Sequence, residues 1–354
     1  MSNLLSYSGL STKIRAMQKK LITEDQLREI AGMDHVSQVA AYLKKTPQYR
    51  TRWASLDENL LHRGQMEKLL KQSIFEDFSR IYQFSNREQR KFLSLYSKRY
   101  EIRVLKEIMT NLFDRRESFQ VDFSAYAEFF RKHSKLDLNR LISCTNMDEF
   151  IQALAGNEFY EPLSRIQGRE NALLFDYGMA LDLYYFSYIW NMRKKLFTGK
   201  DLEEITKAYG EKFDLLNLQF IQRSRQIYHL SCAEVYTQII PVSYKLKKEE
   251  IKALTEAETN EEFASLLRKT YYGRKNPSHD TPEAQLTPGN LEEFYNYTLR
   301  SILENEARRD PYSVAVIYSY LYHKEHEVVR LTIALECVRY NVSISDTMRY
   351  IHRN

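Results

Sequence analysis

The chain has 354 residues, of which 43% are hydrophobic and 28% charged, and a formal net charge of +5. That composition excludes a disordered chain, and no run of ~18 apolar residues offers a bilayer span; the richest, Leu173 to Trp190, is interrupted by Asp176 and Asp182. The 52 basic residues are interspersed with 47 acidic ones, and the clusters Lys19-Lys20, Arg193-Lys194-Lys195 and Lys245 to Lys248 are short. They read as solvated helix faces rather than a nucleic-acid stripe.

Ten glycines and seven prolines leave few tight turns, so helices are favoured over many short strands. The 26 tyrosines suit helix interfaces with one wet edge. Three distant cysteines, Cys144, Cys232 and Cys337, form no even disulfide set, and the N-terminus lacks a signal-peptide pattern. A reducing cytoplasm is the expected compartment.

In chain order, Thr23-Glu24-Asp25-Gln26 is a capping box opening a short helix that carries Leu27 and Ile30. Asp34 is expected to cap a second, with Val36, Val39, Ala40 and Leu43 on its apolar face, stopped by Pro47. Met66, Leu69, Leu70, Ile74 and Phe78 follow the spacing of an amphipathic helix, and another runs from Phe92 to Met109. Towards the C-terminus, Lys247 to Leu254 and Glu261 to Lys269 form a second short pair, with Thr259-Asn260 as a cap. The stretch Arg274 to Asn290 reads as a loop, and Leu291 to Arg308 and Val314 to Val338 as long helices. No alternating strand pattern appears, so the fold class is all-α.

The pattern repeats. Leu27, Ile30, Val39, Leu43 and Thr46 are matched by Leu138, Leu141, Phe150, Leu154 and Asn157, then by Ile251, Leu254, Phe263, Leu267 and Thr270. Tyr49, Tyr160 and Tyr272 follow each set. A second signature keeps the period: Glu101 with Leu105, Asp214 with Leu218, and Glu327 with Leu331, 113 residues apart at each step. Two signatures in phase indicate an internal triplication, with a period too long for a solenoid. The expected domains are residues 1–117, 118–234 and 235–354.

The search for chemistry yields no dinucleotide, NTP-phosphate or zinc-protease motif. His323 and His326 lie one helical turn apart, but two histidines need at least one more ligand, and the matching positions are Ser97 and Tyr100, then Gly210 and Phe213. A polar helix surface is the plainer reading. The repeated acids Glu101, Asp214 and Glu327 read as structural or interface residues, because threefold repetition does not separate pKa values as acid–base catalysis requires. No catalytic, cofactor-binding or metal residue is assigned.

The opening Tyr7-Ser8-Gly9-Leu10-Ser11-Thr12-Lys13-Ile14-Arg15-Ala16-Met17, with Leu43 to Tyr49, resembles the C-type subunit of V-type and A-type rotary ATPases, a relative of the d-type subunit of the vacuolar ATPase. The closing Tyr320-Leu321-x-x-Lys324-x-x-Glu327 is similar to a helix pattern of the same family. Arg330 stands where the second unit has Asn217.

The resemblance implies three helical domains in a funnel of pseudo-threefold symmetry. It implies a non-catalytic central-stalk adaptor, present once per complex, between the rotor-shaft subunits and the membrane proteolipid ring. Its place would be peripheral, on the cytoplasmic face of the membrane. The competing readings are a helical scaffold or a nucleic-acid binder.

Overall fold

Local signals set several helix starts in the computed structural model, which describes residues 2–57, 61–114, 123–169, 172–274 and 291–353. Helix α1 spans Ser2–Gln18. Helix α2 (Glu24–Ala31) starts at the expected capping box: Thr23 Oγ1 accepts from the Gln26 N–H, and the Gln26 side chain accepts from the Thr23 N–H. Helix α3 (Val36–Lys45) departs from expectation, because its N-cap is His35 without a side-chain bond. The first turn begins one residue later than the Asp34 cap required. The Asp34 N–H instead donates to Gln38 Oε1 at 2.9 Å, so a glutamine inside the helix satisfies the orphan donor.

Helices α4 (Arg63–Phe84) and α5 (Arg87–Asp114) are the first long elements. Shorter ones follow: α6 (Ser124–His133), α7 (Leu138–Ile142), α8 (Met147–Ala153) and α9 (Tyr160–Gln167). Two long helices come next, α10 (Leu174–Leu196) and α11 (Gly199–Gln222), the latter running into a π-type turn at Arg223–Ile227. Then come α12 (Cys232–Gln238), α13 (Lys248–Glu256), α14 (Asn260–Lys269) and the single turn α15 (Tyr271–Arg274). Thr259 caps α14 as expected, accepting from the Glu262 N–H at 3.1 Å. The chain closes with α16 (Leu291–Arg309), α17 (Val314–Arg339) and α18 (Ile344–Arg353).

The protein is all-helical, with no strand among the described residues. No described helix is long and apolar enough to cross a membrane. The loop expected over Arg274–Asn290 lies, beyond Arg274, outside the described residues.

The helices divide into two units, one of Met1–Asn86 with Gly273–Asn354 and one of Arg87–Tyr272. In the first, α17 is the axis: α4, α16, α2, α1, α18 and α3 all pack on it. Its buried residues occupy every face, from Val314 and Ile317 to Leu331 and Leu335. A helix apolar all round belongs inside a core, and each such side chain contributes about 1.5–3 kcal/mol on burial.

In the second unit α10 packs on α5, α9 and α11, α11 holds α13, and α5 holds α6 and α8. Arg193 departs from the solvated face expected of its cluster. It is buried, with its guanidinium 3.3 Å from the Trp190 ring centre and Nε donating to Thr206 Oγ1 at 3.1 Å. The flat guanidinium stacks on the indole and carries its charge into the helix pair.

Candidate functional site

The six signature residues are all interior: Glu101, Asp214 and Glu327 are 2%, 0% and 6% exposed, and Leu105, Leu218 and Leu331 are fully buried. Each leucine lies four residues after its acid, on the same face of α5, α11 or α17. The leucines fill the core. The acids meet polar partners at its edge.

Asp214 shows the arrangement most fully. Its carboxylate accepts from three successive backbone N–H groups: Tyr244 at 3.1 Å, Lys245 at 2.6 Å and Leu246 at 2.9 Å. The Tyr272 hydroxyl donates a fourth bond at 2.9 Å. These partners bracket α13 and α14, so one carboxylate holds the chain leading into the short pair and the tyrosine that follows it. Burial pushes the Asp214 carboxyl above its usual range, against the pull of the four bonds. Burial and the adjacent carboxylate push the Tyr272 phenol well above its own, which keeps it a donor.

The close approach of residues 244–246 to α11 depends on Gly210, one turn before Asp214. A Cβ there would sit 2.5 Å from Tyr244 Cγ and 2.8 Å from Cδ1. Asn217, a turn further on, fixes the same strap by two bonds. Its Nδ2 donates to Ile240 O at 3.1 Å, and its Oδ1 accepts from the Ile240 N–H at 2.9 Å.

Glu327 performs the same task with different chemistry. Its Oε1 accepts from the Ile22 N–H at 2.8 Å, and its Oε2 accepts from the Tyr49 hydroxyl at 3.2 Å. Ile22 leads into α2, and Tyr49 follows α3. Lys324, with no exposed side-chain surface, pairs with Glu327 Oε2 and donates to Tyr49 Oη at 3.0 Å. Burial, then the neighbouring Glu327 charge, push the Tyr49 phenol well above its usual range. A bidentate acid, a lysine and a tyrosine thus close a buried triangle.

Glu101 is the third instance. Ser134 Oγ donates to its Oε1 at 2.6 Å and accepts from the Leu136 N–H at 3.0 Å, which leads into α7. Lys98 donates to Glu101 Oε2 at 2.7 Å and also pairs with Glu158, just before α9. Burial raises the Glu101 carboxyl against the pull of Lys98 and Ser134. Here the lysine, rather than a tyrosine, reaches the far side of the short pair.

Each acid therefore closes a short helix pair at both ends. Glu101 serves α7 and α8, Asp214 serves α13 and α14, and Glu327 serves α2 and α3. The contacts of Glu101 and Asp214 run forward along the chain, to residues 134–158 and 244–272. The acid of the final stretch returns to the first short pair. The two sequence signatures are thus two sides of one contact.

Lys324 belongs to the closing helix pattern, but Lys98, which stands three residues before its own acid in the same way, was missed. Gly210 was visible only as the counterpart of His323, and nothing in the repeat signals its contact with Tyr244.

His323 and His326 each take other contacts in the structure. His323 Nδ1 lies 2.7 Å from Ser319 O, and its Nε2 lies 3.0 Å from Glu304 Oε1. His326 packs on Tyr322 with ring centres 4.3 Å apart. No cluster of three metal-ligating side chains occurs among the described residues.

Residues 10–350 match the family model described as ATP synthase (C/AC39) subunit. Relatives named as the C-type subunit of an A-type ATP synthase align over nearly the whole chain. The protein from Methanosphaera stadtmanae is 22% identical, covering 92% of this chain and 82% of the relative. That from Methanocaldococcus jannaschii is 23% identical, covering 93% and 82%, and that from Pyrococcus horikoshii 24%, covering 92% and 84%. The chain belongs to the ATP synthase (C/AC39) subunit family.

Proposed function

We propose that this chain is a non-catalytic central-stalk adaptor that couples the rotor shaft of a V-type or A-type ATPase to the membrane proteolipid ring. The observation that carries this reading is the family match over residues 10–350. An all-helical build accompanies it. The buried acids support the non-catalytic part, because their oxygens are taken up by bonds that hold helices together.

In this reading the units 1–117, 118–234 and 235–354 descend from one helical unit and form a pseudo-threefold funnel. Each acid serves the short pair of the next unit, and the last acid serves the first, as a closed ring of three requires. The shaft enters the funnel and its base rests on the cytoplasmic side of the ring, with one copy per complex. Such a body transmits torque in ATP-driven ion transport or ion-driven ATP synthesis without bond-making chemistry.

The test is affinity purification of the tagged chain from gently solubilised native membranes, followed by mass spectrometry. Shaft subunits and a small proteolipid should co-purify in fixed ratio. If both are missing from preparations that retain intact catalytic heads and rings, the adaptor reading fails and a free-standing helical scaffold replaces it.

A further inference from the structure

Two neighbouring cavities, of about 570 and 340 Å³, open in the unit built on α17 and share Arg300, Tyr322, His326 and Arg330. The larger lies among α1, α16, α17 and the segment leading into α2. Its lining holds four arginines: Arg15 from α1, Arg300 and Arg308 from α16, and Arg330 from α17. His323 and His326 lie between them.

Only two carboxylates line the larger cavity, Glu304 and Glu327. Glu327 is committed to Ile22, Tyr49 and Lys324. Glu304 takes Arg308 at 3.0 Å and His323 Nε2 at 3.0 Å. In the smaller cavity, whose acids are Glu24 and Glu293, Glu24 takes both Arg330 and His352. Arg15 and Arg300 are left without a carboxylate partner among the described residues. Arg300 lies near the Tyr297 ring, 5.9 Å from its centre, and close enough to Glu304 to help lower that carboxyl.

Gathering guanidinium groups around a concave site costs mutual repulsion, which an anion relieves. The planar fork of arginine matches phosphate oxygens in pairs, and its charge survives at every physiological pH. A cavity of about 570 Å³ falls within the range of small-molecule sites and exceeds the needs of a single phosphate.

We infer that this cavity binds a small phosphate-bearing anion carrying two or more phosphoryl groups or a phosphorylated headgroup, held chiefly by Arg15 and Arg300. Arg308 and Arg330 lend charge from the rim while remaining paired to their own carboxylates. The inference is independent of the adaptor role, since it concerns only this unit's own surface.

The experiment is calorimetric titration of the full chain with inorganic pyrophosphate, repeated on Arg15→Gln, Arg300→Gln and the double variant. Both arginines are exposed, so neither change disturbs the core; unchanged thermal melting without ligand checks this. Arg165→Gln, on an exposed arginine of the other unit, is the control.

Saturable binding near one per chain is expected, weakened about tenfold or more by each single change and unaffected by the control. Vesicles of phosphatidylcholine containing phosphatidic acid then identify the source. Displacement of pyrophosphate by these, and not by pure phosphatidylcholine, assigns the site to a lipid headgroup; retention assigns it to a soluble anion. No saturable binding at millimolar pyrophosphate, or equal binding in the double variant, overturns the inference.

Discussion

Asp214 and Glu327 occupy equivalent places on α11 and α17, yet they satisfy the same task in different ways. The Glu327 anchor carries its own counter-charge, because Lys324 lies three residues earlier on the same helix. At the matching position before Asp214 the chain has Glu211. Without a lysine, the carboxylate is met by three backbone N–H groups, which come within reach because aspartate is shorter and Gly210 lets the Tyr244 strap settle on the helix. The two residues three and four places before the acid therefore decide whether a cation or the backbone solvates it. What is common to both is the tyrosine beyond the short pair, Tyr49 or Tyr272.

The largest effect is expected at Glu327. Glu327→Ala leaves the Lys324 ammonium buried without its partner, and a loss of roughly 3–5 kcal/mol is expected in denaturant unfolding. Replacing Lys324 and Glu327 together by methionine should cost clearly less than the sum of the single changes, because no unpaired charge remains. Asp214→Ala strands three amide donors and a phenol instead, with an expected loss of roughly 2–4 kcal/mol. No second-site change at Glu211 should rescue it, since the missing partner is backbone.

His326 sharpens the contrast through pH. Burial holds its imidazole down to about 4, and Glu325 opposes this only in part. The unfolded chain therefore binds the extra proton first as pH falls below ~6.5. Stability from this group is complete above that pH and is lost as pH falls towards about 4, by about 1.5–2 kcal/mol between pH 6.5 and 5. The matching residue at the Asp214 anchor is Phe213, which does not titrate. His326→Phe should flatten this part of the pH–stability curve; an unchanged slope would place the titration elsewhere.

Smaller effects follow at single contacts and caps. Gly210→Ala should cost about 1–3 kcal/mol by pushing Tyr244 off α11, whereas Ser97→Ala, at the matching position of α5, should cost less than about 1 kcal/mol. Thr23→Ala removes the capping box and should cost about 1 kcal/mol, read as a lower unfolding midpoint with unchanged denaturant slope.

Much of this architecture was legible along the chain. The capping box at Thr23, the cap at Thr259 and the long helices α4, α5, α16 and α17 follow from local residue preferences and the 3.6-residue period. The acid positions were visible because they keep their spacing. What they touch was not: Glu327 meets Ile22 and Tyr49 across separations of 305 and 278 residues. Periodicity reveals which face of a helix is buried but not which distant segment covers it. The Asp34 cap failed because helix starts shift by a residue when a side chain such as Gln38 satisfies the first free amide. Gly210 gave no warning, since only the approach of Tyr244 makes its missing side chain necessary.

The proposed role is to couple shaft and ring without catalysing either reaction. Its most direct test is reconstitution: membrane vesicles carrying the ring, with catalytic heads and shaft, assayed with and without the purified chain. ATP hydrolysis by the heads should persist without it, while ATP-driven ion transport should vanish and return on its addition in about one-to-one ratio with the shaft. Ion transport that proceeds undiminished in vesicles lacking the chain would rule out this role.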